Sequence, residues 1–92
     1  MKHRKLKRHP VYVTFPGGYK IEVRVLSKKE FDEENGEDDL ATWDCGERVI
    51  YLRAGRTSKQ KLEDFVHELG HAYLDWGAWV LSSIETRKRK RQ

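Results

Sequence analysis

The sequence predicts an α+β fold, in which a small, largely antiparallel four-stranded sheet packs on an amphipathic helix and a C-terminal helix. Short runs rich in β-branched and aromatic residues fill the first half of the chain, and such runs are typical of strands. A pattern with a period near 3.6 residues follows from residue 58, as expected for a helix. The chain has 92 residues, which is enough for one domain, with residues 10–86 as its body.

The first two strands are predicted on either side of a turn at Pro16-Gly17-Gly18. Val11 to Phe15 precedes the turn and Tyr19 to Leu26 follows it. In the second run apolar residues alternate with charged ones, so one side of the strand should be buried and the other solvated. The apolar positions are Tyr19, Ile21, Val23 and Val25.

A short helix is predicted from Lys28 to about Glu34, with a stop at Asn35-Gly36. Ser27-Lys28-Lys29-Glu30 has the form of a capping box, and Phe31 is the expected anchor of this helix in the core. Seven acidic residues lie between positions 30 and 39. Their spacing does not match a calcium-binding EF-hand loop, so we interpret the segment as a solvated acidic loop that could also accept a basic tail.

Two further strands are predicted, from Leu40 to Asp44 and from Glu47 to Arg53, with a turn at Asp44-Cys45-Gly46. Cys45 is the only cysteine, so the chain forms no internal disulfide. As a thiolate it could bind a metal ion, but a lone cysteine in a turn is more often inert.

The main helix should begin at a second capping box, Thr57-Ser58-Lys59-Gln60, and run to Leu74 or Asp75. Trp76-Gly77 is expected to interrupt it, because glycine commonly ends a helix. A second helix should then follow over residues 78–86 and return toward the first.

His67, Glu68 and His71 form a His-Glu-x-x-His motif inside the main helix. Residues four apart lie on one face of a helix, so both imidazoles can reach one zinc ion at about 2.0–2.1 Å. Glu68 falls beside the metal and can take a proton from a water that zinc activates. The competing interpretation is two solvent-facing histidines. On a helical wheel the histidines lie opposite the centre of one apolar stripe, formed by Leu62, Phe65, Val66, Leu69, Ala72 and Tyr73.

The run from Glu47 to Leu52, followed after a short connection by Phe65 to Ala72, resembles the small zincin metallopeptidases of the gluzincin type. It is particularly similar to the stand-alone minigluzincins and to the ImmA/IrrE-like and SprT-like domains. The resemblance covers about residues 47–86. It implies a minimal zincin fold and a zinc-dependent peptidase.

The same resemblance implies that His67 and His71 are zinc ligands, that Glu68 is the general base, and that an acidic residue on a following helix completes the site. Glu85 is the favoured third ligand, although it also ends a Ser-x-x-Glu capping box. Asp75 is the alternative, four residues beyond His71. Its position suits a carboxylate that orients a ligating imidazole about as well as it suits a ligand.

The net charge of +4 is unevenly distributed. Residues 1–9 carry five Lys/Arg and residues 87–91 carry five more, whereas residues 10–86 carry nine against all 15 Asp/Glu. We interpret residues 1–9 as a flexible basic arm and residues 87–92 as a basic tail, with weak nucleic-acid contact as the alternative. No apolar run is long enough for a signal peptide or a membrane span, so we expect a cytoplasmic protein without a membrane partner.

The sequence therefore predicts a zinc metallopeptidase that acts on a peptide or protein substrate. The strand from Glu47 to Arg53 could be a sheet edge that pairs with an extended peptide, as the resemblance suggests. The oxyanion of the reaction needs a second donor, for which Tyr19, Tyr51, His9 or an arginine remain open. The alternatives are a zinc-stabilised binding module without turnover, associated with nucleic acid through its basic ends, and a hydrolase with a non-peptide substrate.

Overall fold

The computed structural model describes residues 11–35 and 40–91, with side chains for residues 11–33 and 40–84. Four strands and two helices make an α+β domain, which confirms the predicted fold class. The strands and the first helix lie within two residues of their predicted bounds. The elements are β1 Val11–Phe15, β2 Tyr19–Leu26, α1 Lys28–Asn35, β3 Ala41–Asp44, β4 Val49–Arg53 and α2 Ser58–Arg91.

The strands form one mixed sheet in the order β1-β2-β4-β3. β1 pairs antiparallel with β2, and β3 pairs antiparallel with β4, while β2 and β4 run parallel in the centre. Two of the three pairings are therefore antiparallel. Because β4 has a partner on each side, the expectation that this strand is a sheet edge is wrong. Within the described residues the edges are β1 and β3.

Two capping boxes fix where the helices begin, as the sequence predicts. At α1 the Glu30 amide donates to the Ser27 hydroxyl at 3.1 Å, and the Ser27 amide donates to the Glu30 carboxylate at 3.3 Å. At α2 the Gln60 amide donates to the Thr57 hydroxyl at 3.1 Å, and the Thr57 amide donates to the Gln60 side chain at 3.0 Å. Each box satisfies two amides that the first turn of a helix leaves without a backbone acceptor.

Helix α2 covers one face of the sheet, and α1 lies on the other. Side chains alternate along β4, so Arg53 points away from α2, since its neighbour Leu52 belongs to the core. Arg53 pairs with Asp32 of α1 at 3.4 Å, and Phe31 of α1 is fully buried, as predicted. The core between the sheet and α2 contains Tyr19, Ile21, Ile50, Leu52 and Ala72, with Phe65, Leu69, Trp76 and Trp79 packed against it.

The apolar stripe predicted on α2 combines two different faces of the helix. The members that contact the core are Phe65, Leu69 and Ala72. The members that stay exposed are Leu62, Val66 and Tyr73, at 60%, 56% and 58%. The core-facing line continues instead through Trp76 and Trp79, because these positions repeat the spacing of three and four residues.

Helix α2 is continuous over 34 residues, so the predicted interruption at Trp76-Gly77 is wrong. The reason is tertiary packing on both sides of the glycine. Trp76 donates its indole N–H to the Pro16 carbonyl at 2.9 Å. A Cβ on Gly17, which has a φ of +90°, would lie 3.1 Å from the Trp79 ring. The β1–β2 turn thus contacts α2 at Trp76, one residue before Gly77, and at Trp79, two residues after it.

Residues 1–10 and 36–39 lie outside the described part of the chain. The predicted basic arm falls there, as do the last three of the seven acidic residues, and the side chains of the basic tail are also not described. The first four acidic residues lie on α1 and not in a loop. No helix in the described part combines the length and the apolar content that a membrane span requires.

Candidate metal centre

The imidazoles of His67 and His71 converge on the exposed side of α2. Their Nε2 atoms lie 3.3 Å apart, and the two rings meet nearly at right angles, at 81°. Two ligands bound at about 2.0–2.1 Å with a tetrahedral angle between them lie about 3.3–3.4 Å apart. The pair therefore already has the separation that one zinc ion imposes on two nitrogen ligands.

Glu68 is the buried charged residue of α2, at 9% exposure. It lies between the histidines in sequence and turns toward the sheet side of the helix, whereas both histidines are exposed. A helix places consecutive residues about 100° apart, so Glu68 flanks the histidine pair and does not join it. Its role as a base beside a metal ion stays a prediction.

Asp75 is held by the edge strand β3. Its Oδ2 accepts the indole N–H of Trp43 at 2.6 Å. The Trp43 hydrogen bond, followed by one from the Cys45 thiol, lowers the pKa of the Asp75 carboxyl. The charge of His71 acts in the same direction. Asp75 thus lies in the electrostatic range of His71, while its hydrogen bonds come from Trp43 on β3 and from Cys45 in the turn that follows. Its role as a carboxylate that orients a ligating imidazole stays a prediction.

Cys45 is a poor candidate for a metal ligand in this arrangement. It is exposed in the turn after β3, and its thiol donates to Asp75. That hydrogen bond and the neighbouring carboxylate raise the pKa of the thiol. Because metals bind the thiolate, a raised pKa opposes ligation.

Glu85 does not lie beside the two histidines. It follows His71 by fourteen residues of the same unbroken helix, which corresponds to about 21 Å along the axis. The side chain of Glu85 lies outside the described ones, so its role as third ligand stays a prediction. The assignment relied on a break at Gly77, and α2 has none.

Asp64, another acidic side chain near the motif, is already paired. Asp64, one turn before Glu68, accepts two hydrogen bonds from the Arg56 guanidinium, at 2.9 and 3.1 Å. Both carboxylate oxygens are used, so Asp64 neutralises Arg56 instead of facing the histidines. Across the described residues, no group of three His, Cys, Asp or Glu side chains is close enough to hold a metal ion. Among the described side chains, His67 and His71 thus converge without a third metal-binding group beside them.

The tyrosines considered as oxyanion donors lie elsewhere. Tyr19 is buried at 3% exposure, and the Arg48 guanidinium lies 4.0 Å from its ring centroid. Tyr51 alternates with the core residues Ile50 and Leu52 on β4, so it points to the other face of the sheet. His9 lies outside the described residues.

Sequence reasoning missed the role of Trp43. The indole of Trp43 reaches across to α2 and fixes Asp75 one helical turn beyond His71. A signal was available, since a tryptophan that alternates onto the inner face of a strand needs an acceptor for its N–H. Aspartate is a strong acceptor, and the candidates on α2 were few.

Comparisons with known proteins give no relative: no family model matches the chain, and searches of curated proteins and of solved structures return no significant match. Arguments about function therefore depend on the geometry of the site.

Proposed function

We propose that the protein is a zinc-dependent metallopeptidase whose zinc is held by His67 and His71. The observation that carries this proposal is the 3.3 Å separation of their Nε2 atoms, which equals the spacing of two zinc ligands. Both imidazoles are solvent-exposed, so positions on the far side of an ion remain open to water and substrate. Open positions distinguish catalytic zinc sites from structural ones.

Glu68 performs the proton transfers in this proposal. Zinc, when bound, acidifies a water and polarises a carbonyl group. Glu68 takes a proton from the attacking water as the C–O bond forms, and returns it to the leaving amine as the C–N bond breaks. Partial burial supports this role, because a carboxylate screened from bulk water keeps a defined position and interacts more strongly with a nearby cation.

The edge strand β3 supports a peptide as the substrate. Trp43 of β3 holds Asp75 one turn after His71, so the histidines lie along the side of α2 that faces this edge. In the described chain β3 pairs with β4 on one side only. An extended peptide can add to such an edge through main-chain hydrogen bonds. This assigns to β3 the docking role that the sequence had suggested for the strand at 47–53.

Hydrolysis of a quenched fluorescent peptide library by the wild-type chain and by Glu68→Gln tests the proposal. Gln is close to Glu in size and helix propensity, so the variant should fold and bind zinc like the wild type. Peptide cleavage should fall by about 10² or more, because the base is lost.

Asp64→Asn is a matched control, since it also neutralises a carboxylate of α2 near the motif but leaves Glu68 in place. It should retain wild-type cleavage. Equal cleavage by wild type and Glu68→Gln contradicts a peptidase with Glu68 as base. Zinc binding without cleavage by the wild type favours the zinc-stabilised binding module instead.

A further inference from the structure

Helix α2 has a second apolar face that lies outside the core between α2 and the sheet. Of its side chains, Tyr73 also meets the ring of Phe15 on β1 edge-on, at 6.2 Å between the ring centroids. The large side chains of this face are 45% to 68% exposed and recur at spacings of three, four and seven residues, so they lie along one side of the helix. Gly70 and Gly77 fall on the same side. We call this surface the outer face of α2: Leu62, Val66, Gly70, Tyr73, Leu74, Gly77, Leu81 and Ile84.

The outer face is large for a domain of this size. Its six large side chains expose roughly 600 Å², which is the upper end of the largest apolar patch on a typical monomer. A stable protein–protein interface takes roughly 800 Å² from each partner. The outer face alone therefore supplies about three quarters of that area.

The two glycines are unexplained by the single chain. A Cβ on Gly70 or on Gly77 would meet nothing within 4 Å, so no contact within the described chain requires glycine. Both are helical, where glycine is the least favourable residue after proline. A glycine in a helix allows another backbone to approach closely. Such an approach would explain why glycine stands at positions 70 and 77.

The inner part of the outer face, from Val66 to Leu81, is symmetric about its centre. Positions 70 and 77 are equidistant from the point between Tyr73 and Leu74, and so are positions 66 and 81. Two copies related by a twofold axis at that point would place Gly70 against Gly77, and Val66 against Leu81. A surface with this property is self-complementary, as a twofold dimer interface requires.

We propose that the outer face of α2 pairs with the same face of a second copy of this chain, with the two helices antiparallel. Charge favours this orientation. In a parallel pair the runs of five Lys/Arg at residues 87–91 would lie side by side, and like charges repel. In an antiparallel pair these runs lie at opposite ends of helices about 50 Å long. The dimer does not depend on zinc.

The first test measures the oligomeric state of the full-length chain by sedimentation equilibrium, in zinc and in chelator. The wild type should be a dimer in both. Val66→Glu should weaken self-association about tenfold or more, because a charge replaces an apolar contact that packs against Leu81 of the second copy. Val11→Glu is the matched control, since Val11 on β1 has the same 56% exposure as Val66; it should leave the dimer intact.

A monomeric wild type at about 100 μM, where most specific dimers form, overturns the proposal. So does a Val66→Glu variant that dimerises like Val11→Glu. If the wild type stays monomeric and binds a different protein through the outer face, the face belongs to a heterologous interface. That outcome also overturns the proposal.

The second test measures helix orientation by disulfide cross-linking in a Cys45→Ser background. Copies with Val66→Cys mixed with copies with Leu81→Cys should cross-link efficiently, because the antiparallel arrangement brings these positions together. Chains with Ile84→Cys alone should not cross-link to each other. Efficient cross-linking through Ile84→Cys alone shows a parallel pair and contradicts the proposal.

Discussion

The indole N–H of Trp43 donates to the Oδ2 of Asp75 over 2.6 Å, and this hydrogen bond joins the edge strand β3 to α2 one turn beyond His71. Because Trp43 and Cys45 both donate to it, the pKa of the Asp75 carboxyl is lowered. The hydrogen bonds that join this part of α2 to β3 and its following turn therefore favour the ionised form of Asp75.

The first prediction is that Asp75→Asn destabilises the fold in a pH-dependent way. A carboxyl with a lowered folded pKa stabilises the folded state fully above its unfolded pKa, about 3.9. That contribution disappears as pH falls through the folded pKa. At pH 7 the variant should lose about 1 kcal/mol of unfolding free energy in urea titrations. The difference from wild type should shrink below about pH 4.

Trp43→Phe provides the control for this prediction. It removes the donor and keeps most of the ring, so its effect combined with Asp75→Asn should be smaller than the sum of the two single effects. Additive effects, or a difference between wild type and Asp75→Asn that is constant with pH, would contradict the role assigned to this hydrogen bond.

The second prediction concerns the continuity of α2 at Gly77. Gly77 is helical and a Cβ there meets no atom within 4 Å, so Gly77→Ala should stabilise the chain by about 0.8–1 kcal/mol. In a domain of this size that raises the melting temperature by about 4–8 °C. The melting temperature should be measured by calorimetry in the Val66→Glu background. In that background the proposed dimer is weakened, so it does not contribute to the difference.

Gly55→Ala is the matched comparison. Gly55 also has open space around it, but its φ is +92°, so alanine should destabilise there by about 1–2 kcal/mol. If Gly77→Ala is destabilising like Gly55→Ala, Gly77 ends the helix in a left-handed conformation, and the continuous α2 is wrong.

The third prediction separates Glu85 from the metal site. Glu85→Gln should leave zinc affinity unchanged in competitive chelator titrations, because a continuous α2 places it about 21 Å from His71. Asp75→Asn should weaken zinc about tenfold, as loss of a carboxylate that supports a ligating histidine does.

Ser82→Ala is the control variant for the third prediction. In a continuous helix Ser82 is an interior position, so alanine should not lower the melting temperature. A large loss of zinc affinity in Glu85→Gln would show that α2 breaks near Gly77 when the metal binds. Loss of stability in Ser82→Ala would show that a helix begins there.

Local signals were sufficient to predict most of the elements from sequence. Each capping box is decided by hydrogen bonds between residues three apart, as in Ser27 with Glu30 and Thr57 with Gln60. The first hairpin is likewise decided by Gly17 and Gly18, which adopt positive φ. These features do not depend on distant residues, so they can be predicted from the local sequence.

Features that depend on distant contacts were not predictable in the same way. Gly77 looks like a helix end by propensity, but Trp76 and Trp79 pack against a turn some 60 residues earlier, which overrides a weak local preference. The wheel could not separate the core face of α2 from its outer face, because both are apolar. Strand order was also invisible, since nothing local shows that β4 lies between β2 and β3.

At the candidate site, the helical spacing of His67 and His71 was enough to predict that their rings converge. The third ligand was not predictable because it depended on where a second helix would lie. The expected second helix is the continuation of α2, and Glu85 as the third ligand stays a prediction.

The most direct test of the account is the zinc stoichiometry of histidine variants. After dialysis against chelator and titration with zinc, the wild-type chain should bind one ion, and His67→Ala and His71→Ala should each lose it, since two nitrogen ligands 3.3 Å apart hold the metal together. The double variant His3→Ala/His9→Ala should bind like the wild type. A wild type that binds no zinc, or a His71→Ala variant that keeps it, would contradict the central claim.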